Sequence, residues 1–239
     1  IYTPTHTLSL HDALPIFEDA NPTHAATGAM LVKFLNTGQA CISPNRIFVH
    51  RSHMQAFLKE AESRIGRMRA GNGMEDGVSI GPLVGPEALA KVERQVTDAV
   101  ERGAALVCGG RRLTAEGLDK GCFFAPTLLA EVTPAMQIYR EETFGPVAPV
   151  IPFDTEEEVI EMANDTHYGL AAYIYTRDMA RAFRVFEGLR FGIVGINDIN
   201  PTAAAAPFGG MKESGMGREG GSEGIAEYLE TKLGGFSIR

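Results

Sequence analysis

Three short stretches carry residue types capable of chemistry. The first, KFLNTGQACISPNR, holds Cys41 just beyond Gly38, a residue that permits a tight backbone path. A cysteine serves as a nucleophile when its thiolate is exposed, when positive potential or backbone N–H groups stabilise it, and when a substrate has room to approach. The second, REETFGP, sets Glu141 and Glu142 immediately before Phe144 and a Gly-Pro turn. One carboxylate is thereby held near an apolar face. Such a group suits the paired hydroxyls of a ribose, and a phenyl ring packs well beside a flat cofactor ring. The third, PFGGMKESGMGREGG, is rich in glycines that allow positive φ or close backbone approach. It contains neither GxGxxG nor GxxxxGK[ST], so it does not read as a phosphate loop. Each stretch also has a plain alternative. A free cysteine is usually a small buried hydrophobe, an acidic pair before a turn is usually solvated, and glycine-rich sequence is often a mobile surface loop.

The elements that must position these residues alternate between helix and strand periods, which predicts α/β architecture. Residues 24–36 suit a buried helix leading into TGQAC. RIFVH (46–50) reads as a strand and 54–68 as an amphipathic helix. A helix is expected over 86–102, with Pro86 in its first turn and Gly103 just past its end. Residues 104–108 read as a short buried strand, and 123–129 and 147–153 as further strands. Asp154 is expected to cap a helix over 154–164, with Glu157 completing a capping box. A strand at 170–175, a helix at 178–189 and a strand at 191–196 then form a βαβ-like run, which favours a parallel sheet with helices packed on its faces.

Bulk properties exclude several classes. The 239 residues are 44% hydrophobic, enough for a real core. A net charge of -8 and scattered basic residues argue against nucleic acid or an anionic membrane as the main partner. No apolar run reaches the roughly 18 residues that cross a bilayer. Cys41, Cys108 and Cys122 are too few and too dispersed for a zinc site or a disulfide framework, so no metal is expected. An odd thiol count fits a reducing compartment, with the cytoplasm as the default expectation. Residues 1–16, IYTPTHTLSLHDALPI, lack a sustained period and the basic start of a signal peptide. LSLHDALPI resembles translated sequencing-adapter DNA. The segment is therefore expected to be non-native and to lie outside the fold, making the chain a fragment.

In this order, the three stretches resemble the aldehyde dehydrogenase superfamily: FLNTGQACISPNR its cysteine signature, EETFGP its glutamate–phenylalanine cofactor motif, PFGGMKESGMGRE its C-terminal glycine-rich motif. SIGPLV, FFAPTLL and YGLAAYIYTRD are weaker matches between them. The resemblance implies an aldehyde-dehydrogenase-like catalytic domain, a parallel-rich sheet with helices on both faces, over residues 17–200. A glycine-rich returning loop and oligomerisation arm would follow over 201–239, with EYLETKLGGFSI as a strand reaching across a dimer. The nucleotide-binding domain would be missing. It further implies Cys41 as the nucleophile that forms a thiohemiacetal, its own backbone N–H holding the oxyanion. Hydride passes to NAD or NADP, and a thioester is hydrolysed to the acid. Glu142 would bind the nicotinamide-ribose hydroxyls and Phe144 would position the nicotinamide end. Asn36, Gly38, Gln39, Arg46, Pro146 and Gly209 to Lys212 are expected to be structural.

Two departures bear on function. The Glu-Leu-Gly-Gly motif that supplies the deacylating base is expected shortly before Phe17, and this chain has no glutamate before Glu18. A CoA-acylating relative, which lacks that base, and a catalytically silent member are the rival readings. The wording is closest to the succinate-semialdehyde dehydrogenase branch, yet the arginine usual six residues before the cysteine is Leu35 here. Losing a guanidinium–carboxylate pair costs about 1.5–3 kcal/mol, which shifts the expectation towards an uncharged aldehyde or a carboxylate clamped from elsewhere. The full-length protein is expected to be a homodimer or homotetramer, and the present chain inactive.

Overall fold

The computed structural model describes residues 12–238. In chain order its elements are β1 (Ala13–Ile16), α1 (Pro22–Lys33), β2 (Arg46–His50), α2 (Met54–Ile65), β3 (Arg69–Ala70) and β4 (Val78–Ile80). Then come α3 (Pro86–Glu101), β5 (Ala105–Cys108), β6 (Thr127–Ala130), α4 (Gln137–Arg140) and β7 (Val147–Phe153). The series closes with α5 (Glu156–Asn164), β8 (Ala171–Ile174), α6 (Met179–Gly188) and β9 (Ile193–Ile196). Seven strands form one sheet in the order β5-β6-β7-β2-β1-β8-β9, parallel throughout except for the β5–β6 pair.

Strands covered on both faces read as near-continuous apolar runs. ALPI, TLLA, AAYI and most of VAPVIPF fit that description and are buried. Side-chain alternation sorts them between two cores. Leu14, Ile16, Ile47 and Val49 face α1 and α2, whereas Ala13, Phe48, Ile151 and Phe153 face α3, α5 and α6. Small residues on α1 permit close approach: a Cβ on Gly28 would lie 1.9 Å from the Tyr175 hydroxyl. Asn21 caps α1 by accepting from the Thr23 and His24 N–H groups, with Pro22 in the first turn.

The structure corrects several expectations. The expected exclusion of residues 1–16 from the fold fails for 12–16. β1 lies inside the sheet, paired in parallel with β2 and β8, and its four residues are buried. The carbonyl of Asp12 accepts from the Asn45 and Arg46 N–H groups, and its carboxylate accepts from Ala171 N at 2.8 Å. Residues 1–11 lie outside the described residues. β5 is not buried; as the antiparallel edge strand it leaves Leu106 exposed. The capping box of α5 stands one residue later than expected, on Thr155 and Glu158. The helix over 24–36 ends at Lys33, because Asn36 and Thr37 turn left-handed at φ 49° and 62°. The expected strand across a dimer is a property of an assembly and is not among these corrections; in the single chain residues 229–238 carry no strand, and Leu229, Leu233, Phe236 and Ile238 are exposed.

Candidate active site

Cys41 sits in a turn between the left-handed segment after α1 and strand β2. The loop's shape is fixed by contacts with two distant segments. The Thr37 hydroxyl accepts from Gly81 N at 2.9 Å, while Gln39 accepts from Val84 N at 2.9 Å and donates to the Pro82 carbonyl at 3.3 Å. SIGPLV is therefore clamped onto TGQ. On the other side, a Cβ on Gly38 would meet the Gly145 carbonyl oxygen at 2.1 Å. With φ at +75°, Gly38 is required for both conformation and clearance. That near-contact brings the cysteine loop against the FGP turn.

Asn45 completes the junction. Its amide donates to the Ile138 and Glu141 carbonyls at 3.2 Å, and its carbonyl oxygen accepts from Thr143 N at 3.0 Å. Gln95 of α3, fully buried, donates to the Glu141 and Glu142 carbonyls at 3.4 and 3.5 Å. The backbone around Glu142 is thus held from two elements. Phe144 follows with φ +48°, a left-handed conformation that a bulky residue keeps only where its surroundings enforce it. Glu142 and Phe144 are both half-buried.

The glycine-rich stretch returns over the same end of the sheet. Met211 N donates to the Gly169 carbonyl and Gly169 N donates to the Ser214 hydroxyl, anchoring the loop to the start of β8. The Arg218 guanidinium donates to the Gly210 and Gly217 carbonyls at 2.9 and 2.8 Å. A cavity of about 830 Å³ lies between this loop and Cys41, with Leu170, Phe208, Arg218, Glu219 and Tyr228 among its walls. The first and third sequence motifs therefore share a cavity. Glu142 and Phe144 do not line it, although the Glu142 carboxylate acts electrostatically on Cys41.

The electrostatics differ from those expected of an activated thiol. Cys41 is exposed, and the N–H groups of Cys41 and Ile42 are directed at its sulfur. Yet the dense surroundings push the thiol above its ordinary pKa, and negative charge on Asp12, when it ionises, and on Glu142 pushes it the same way. Positive potential favours a nucleophilic thiolate. The charged groups that shift this thiol are instead carboxylates. Beneath the loop lies a polar cluster that the sequence did not single out. Lys33 and Asp12 are both buried, and Tyr173 of β8 donates its hydroxyl to the Ile42 carbonyl at 2.9 Å. Burial lowers Lys33 to about 8 and raises Asp12 well above the usual carboxylate range.

Arg46, expected to be structural, is buried and donates to the Met162 and Ala163 carbonyls at 2.8 and 2.9 Å, between the rings of Phe48 and Tyr139. It ties β2 to the end of α5. Asn45, Gln95, Asp12 and Lys33 escaped the sequence reading. For Asn45 the one signal was its place inside the cysteine motif. The other three act through contacts between distant segments that no local pattern encodes. Among the described residues, no group of histidine, cysteine or acidic side chains could hold a metal, and no helix is long and apolar enough to cross a membrane.

The fold and the shared loop geometry agree with comparison to known proteins. Residues 5–233 match the model of the aldehyde dehydrogenase family, and the chain belongs to that family. The match reaches into the segment first set apart. The chain is 47% identical over 223 residues to 3-sulfolactaldehyde dehydrogenase of Pseudomonas putida, covering 92% of this chain and 45% of that protein. It is 50% identical over 218 residues to human mitochondrial succinate-semialdehyde dehydrogenase, covering 91% and 40% respectively. The crystal structure of an aldehyde dehydrogenase from Brucella melitensis biovar abortus 2308 superposes with a TM-score of 0.89 at 46% identity, covering 94% of this chain and 45% of that one. The chain thus spans less than half the length of these relatives.

Proposed function

We propose that this chain is the catalytic half of an NAD(P)-dependent aldehyde dehydrogenase that oxidises an aldehyde to a carboxylic acid, with Cys41 as nucleophile. The observation that carries the reading is the placement of Cys41. It is an exposed thiol at the wall of the glycine-rich cavity, with the backbone N–H groups of Cys41 and Ile42 directed towards its sulfur. The Cys41 thiolate adds to the aldehyde carbon, a C–S bond forms, and the carbonyl oxygen takes the negative charge as a thiohemiacetal. The Cys41 N–H stabilises that oxygen. A nicotinamide cofactor held at Glu142 and Phe144 would supply the hydride acceptor for that carbon. Glu142 and Phe144 fit the nicotinamide-ribose end of such a cofactor, being a half-buried carboxylate and ring on a backbone held by Asn45 and Gln95. The remainder of the nucleotide site belongs to the part of the relatives that this chain does not span.

The substrate we favour is an uncharged aldehyde or a semialdehyde whose anion is held by residues upstream. Leu35 offers no guanidinium. Arg218, the cation that the described residues place at the cavity wall, faces two carbonyls and shares the wall with Glu219 and Glu227. We further propose that the full-length protein assembles as a homodimer or homotetramer through residues 201–239. The purified chain should give no aldehyde-dependent NAD(P)H. The direct test is site-resolved alkylation of the folded chain by iodoacetamide. Cys41 should react ahead of the half-buried Cys108 and Cys122. Equal rates at the three thiols, or steady turnover by the chain alone, would count against this reading.

A further inference from the structure

The turn that carries Cys41 is gripped from below by two buried hydroxyls. Ser43 N donates to the Ala40 carbonyl at 3.0 Å, closing a four-residue turn with Cys41 and Ile42 at its central positions. That closure does not use the N–H groups of Cys41 and Ile42. The Ser43 hydroxyl donates to the Lys33 carbonyl at 3.0 Å, fastening the turn to the last residue of α1. The Tyr173 hydroxyl donates to the Ile42 carbonyl at 2.9 Å, fastening it to β8, 131 positions later. Cys41 is exposed and Ile42 half-buried, whereas Ser43 and Tyr173 are buried. An exposed thiol thus rides on buried anchors, where a hydrogen bond is costly to leave unmade.

The Tyr173 ring has a place prepared for it. Its neighbours along β8, Ala172 and Ile174, face the other core, so Tyr173 points into the core shared with α1. Its pairing partner on β9 is Gly195, where a Cβ would lie only 3.2 Å from Tyr173 Cδ1. A carbonyl only accepts, so the phenol must supply the proton. Burial first, and then the anionic forms of Asp12 and Cys41, hold the phenol far above the ordinary tyrosine range, so it remains a donor. We propose that Tyr173, aided by Ser43, is a positioning residue for Cys41: the two hydroxyls fix the Ala40–Ser43 turn and keep the Cys41 and Ile42 N–H groups aimed at the sulfur. The functional meaning of this hold rests on the reading of Cys41 as the nucleophile.

The test compares site-resolved iodoacetamide rates between pH 7 and pH 10 in the chain, in Tyr173→Phe and in Ser43→Ala. Each variant deletes one oxygen and leaves every core carbon in place. Asp12 and Glu142, the charged groups that shift Cys41, are intact in both. Without the hold, the N–H groups leave the sulfur and the thiolate loses their support. Cys41 in Tyr173→Phe should react at least about threefold more slowly at pH 8, and the deficit should narrow towards pH 10, where more thiolate forms regardless. Ser43→Ala should shift in the same direction, and Cys108 and Cys122 should keep their rates. An unchanged or faster Cys41 overturns the proposal. So does a slowing by one factor at every pH, which reports access alone, or a parallel change at all three thiols, which reports general loosening. If Tyr173→Phe does not fold, Ser43→Ala carries the same test. Equal rates at the three thiols of the parent chain would overturn the nucleophile reading, while a shift confined to Cys41 in the variants would still support the hold on the turn.

Discussion

With its thiol raised by dense surroundings and by two carboxylates, Cys41 is largely protonated near neutrality. Its alkylation rate should keep climbing with pH past 9 and show no plateau in the acid range. A plateau below pH 7 would mean an ion pair that the described residues do not contain. Glu142→Gln removes one of the opposing charges, so Cys41 in that variant should alkylate faster at a fixed pH near 8. Asp12 makes a separate prediction about stability. Its folded pKa is raised, so it contributes stability below the unfolded value of about 4 that is lost as pH rises through the folded value. An asparagine at this position keeps the acceptor for Ala171 N without the buried charge. Asp12→Asn should therefore raise the melting temperature at pH 7, by about 2–4 °C per kcal/mol recovered. The gain should shrink towards pH 4. A variant that melts lower at pH 7 would show that the carboxylate is stabilised by something else.

The loops that lead into the amino ends of β2 and β7 depend on single polar clamps. Asn45→Ala would strip partners from the Ile138 and Glu141 carbonyls and the Thr143 N–H in a buried setting. We expect a loss of about 2–4 kcal/mol in urea unfolding. A loss within experimental error would mean that Gln95 alone holds the EETFGP backbone. Gly38→Ala adds a Cβ 2.1 Å from a carbonyl oxygen at a left-handed φ, and should cost ~3 kcal/mol or more. Much of this scale was legible beforehand. RIFVH and VAPVIPF fall on β2 and β7 residue for residue, because apolar runs bounded by turn residues leave little choice. β5 misled because ALVC is apolar whether it lies in the middle or at the edge, and only the neighbouring strand decides exposure. The α5 cap slipped by one residue because DTEEE offers two capping frames. Motif order singled out Cys41, Glu142 and Phe144, whose roles stand as proposals, and the structure sets their two loops side by side. Asn45 was not, since its bonds reach across 93 to 98 positions of sequence.

For the molecule as a whole, the misread segment matters most. A chain starting at Phe17 would lack β1, leaving β2 and β8 without their shared neighbour and removing the contacts of Ala13, Leu14 and Ile16 from both cores. Deletion of residues 1–16 should therefore abolish cooperative unfolding, and a sharp transition in that deletion would show that the sheet closes without β1. At the other end, Leu229, Leu233, Phe236 and Ile238 stand in solvent. Truncation after Tyr228 should shift a sizing profile towards monomer at a given concentration. An unchanged profile would place self-association on another face.

The position of β1 also bears on how the chain is made. It leaves the ribosome before its neighbours, yet it hydrogen-bonds to β8, whose Ala171 N donates to a carboxylate 159 residues earlier. At about 5–20 residues per second, roughly 8–30 s of synthesis separate the two partners. During that interval one side of an apolar strand has no mate. Nascent chains stalled before Ala171 should accordingly be held by chaperones or captured by proteases, and those stalled well past Ile196 should not.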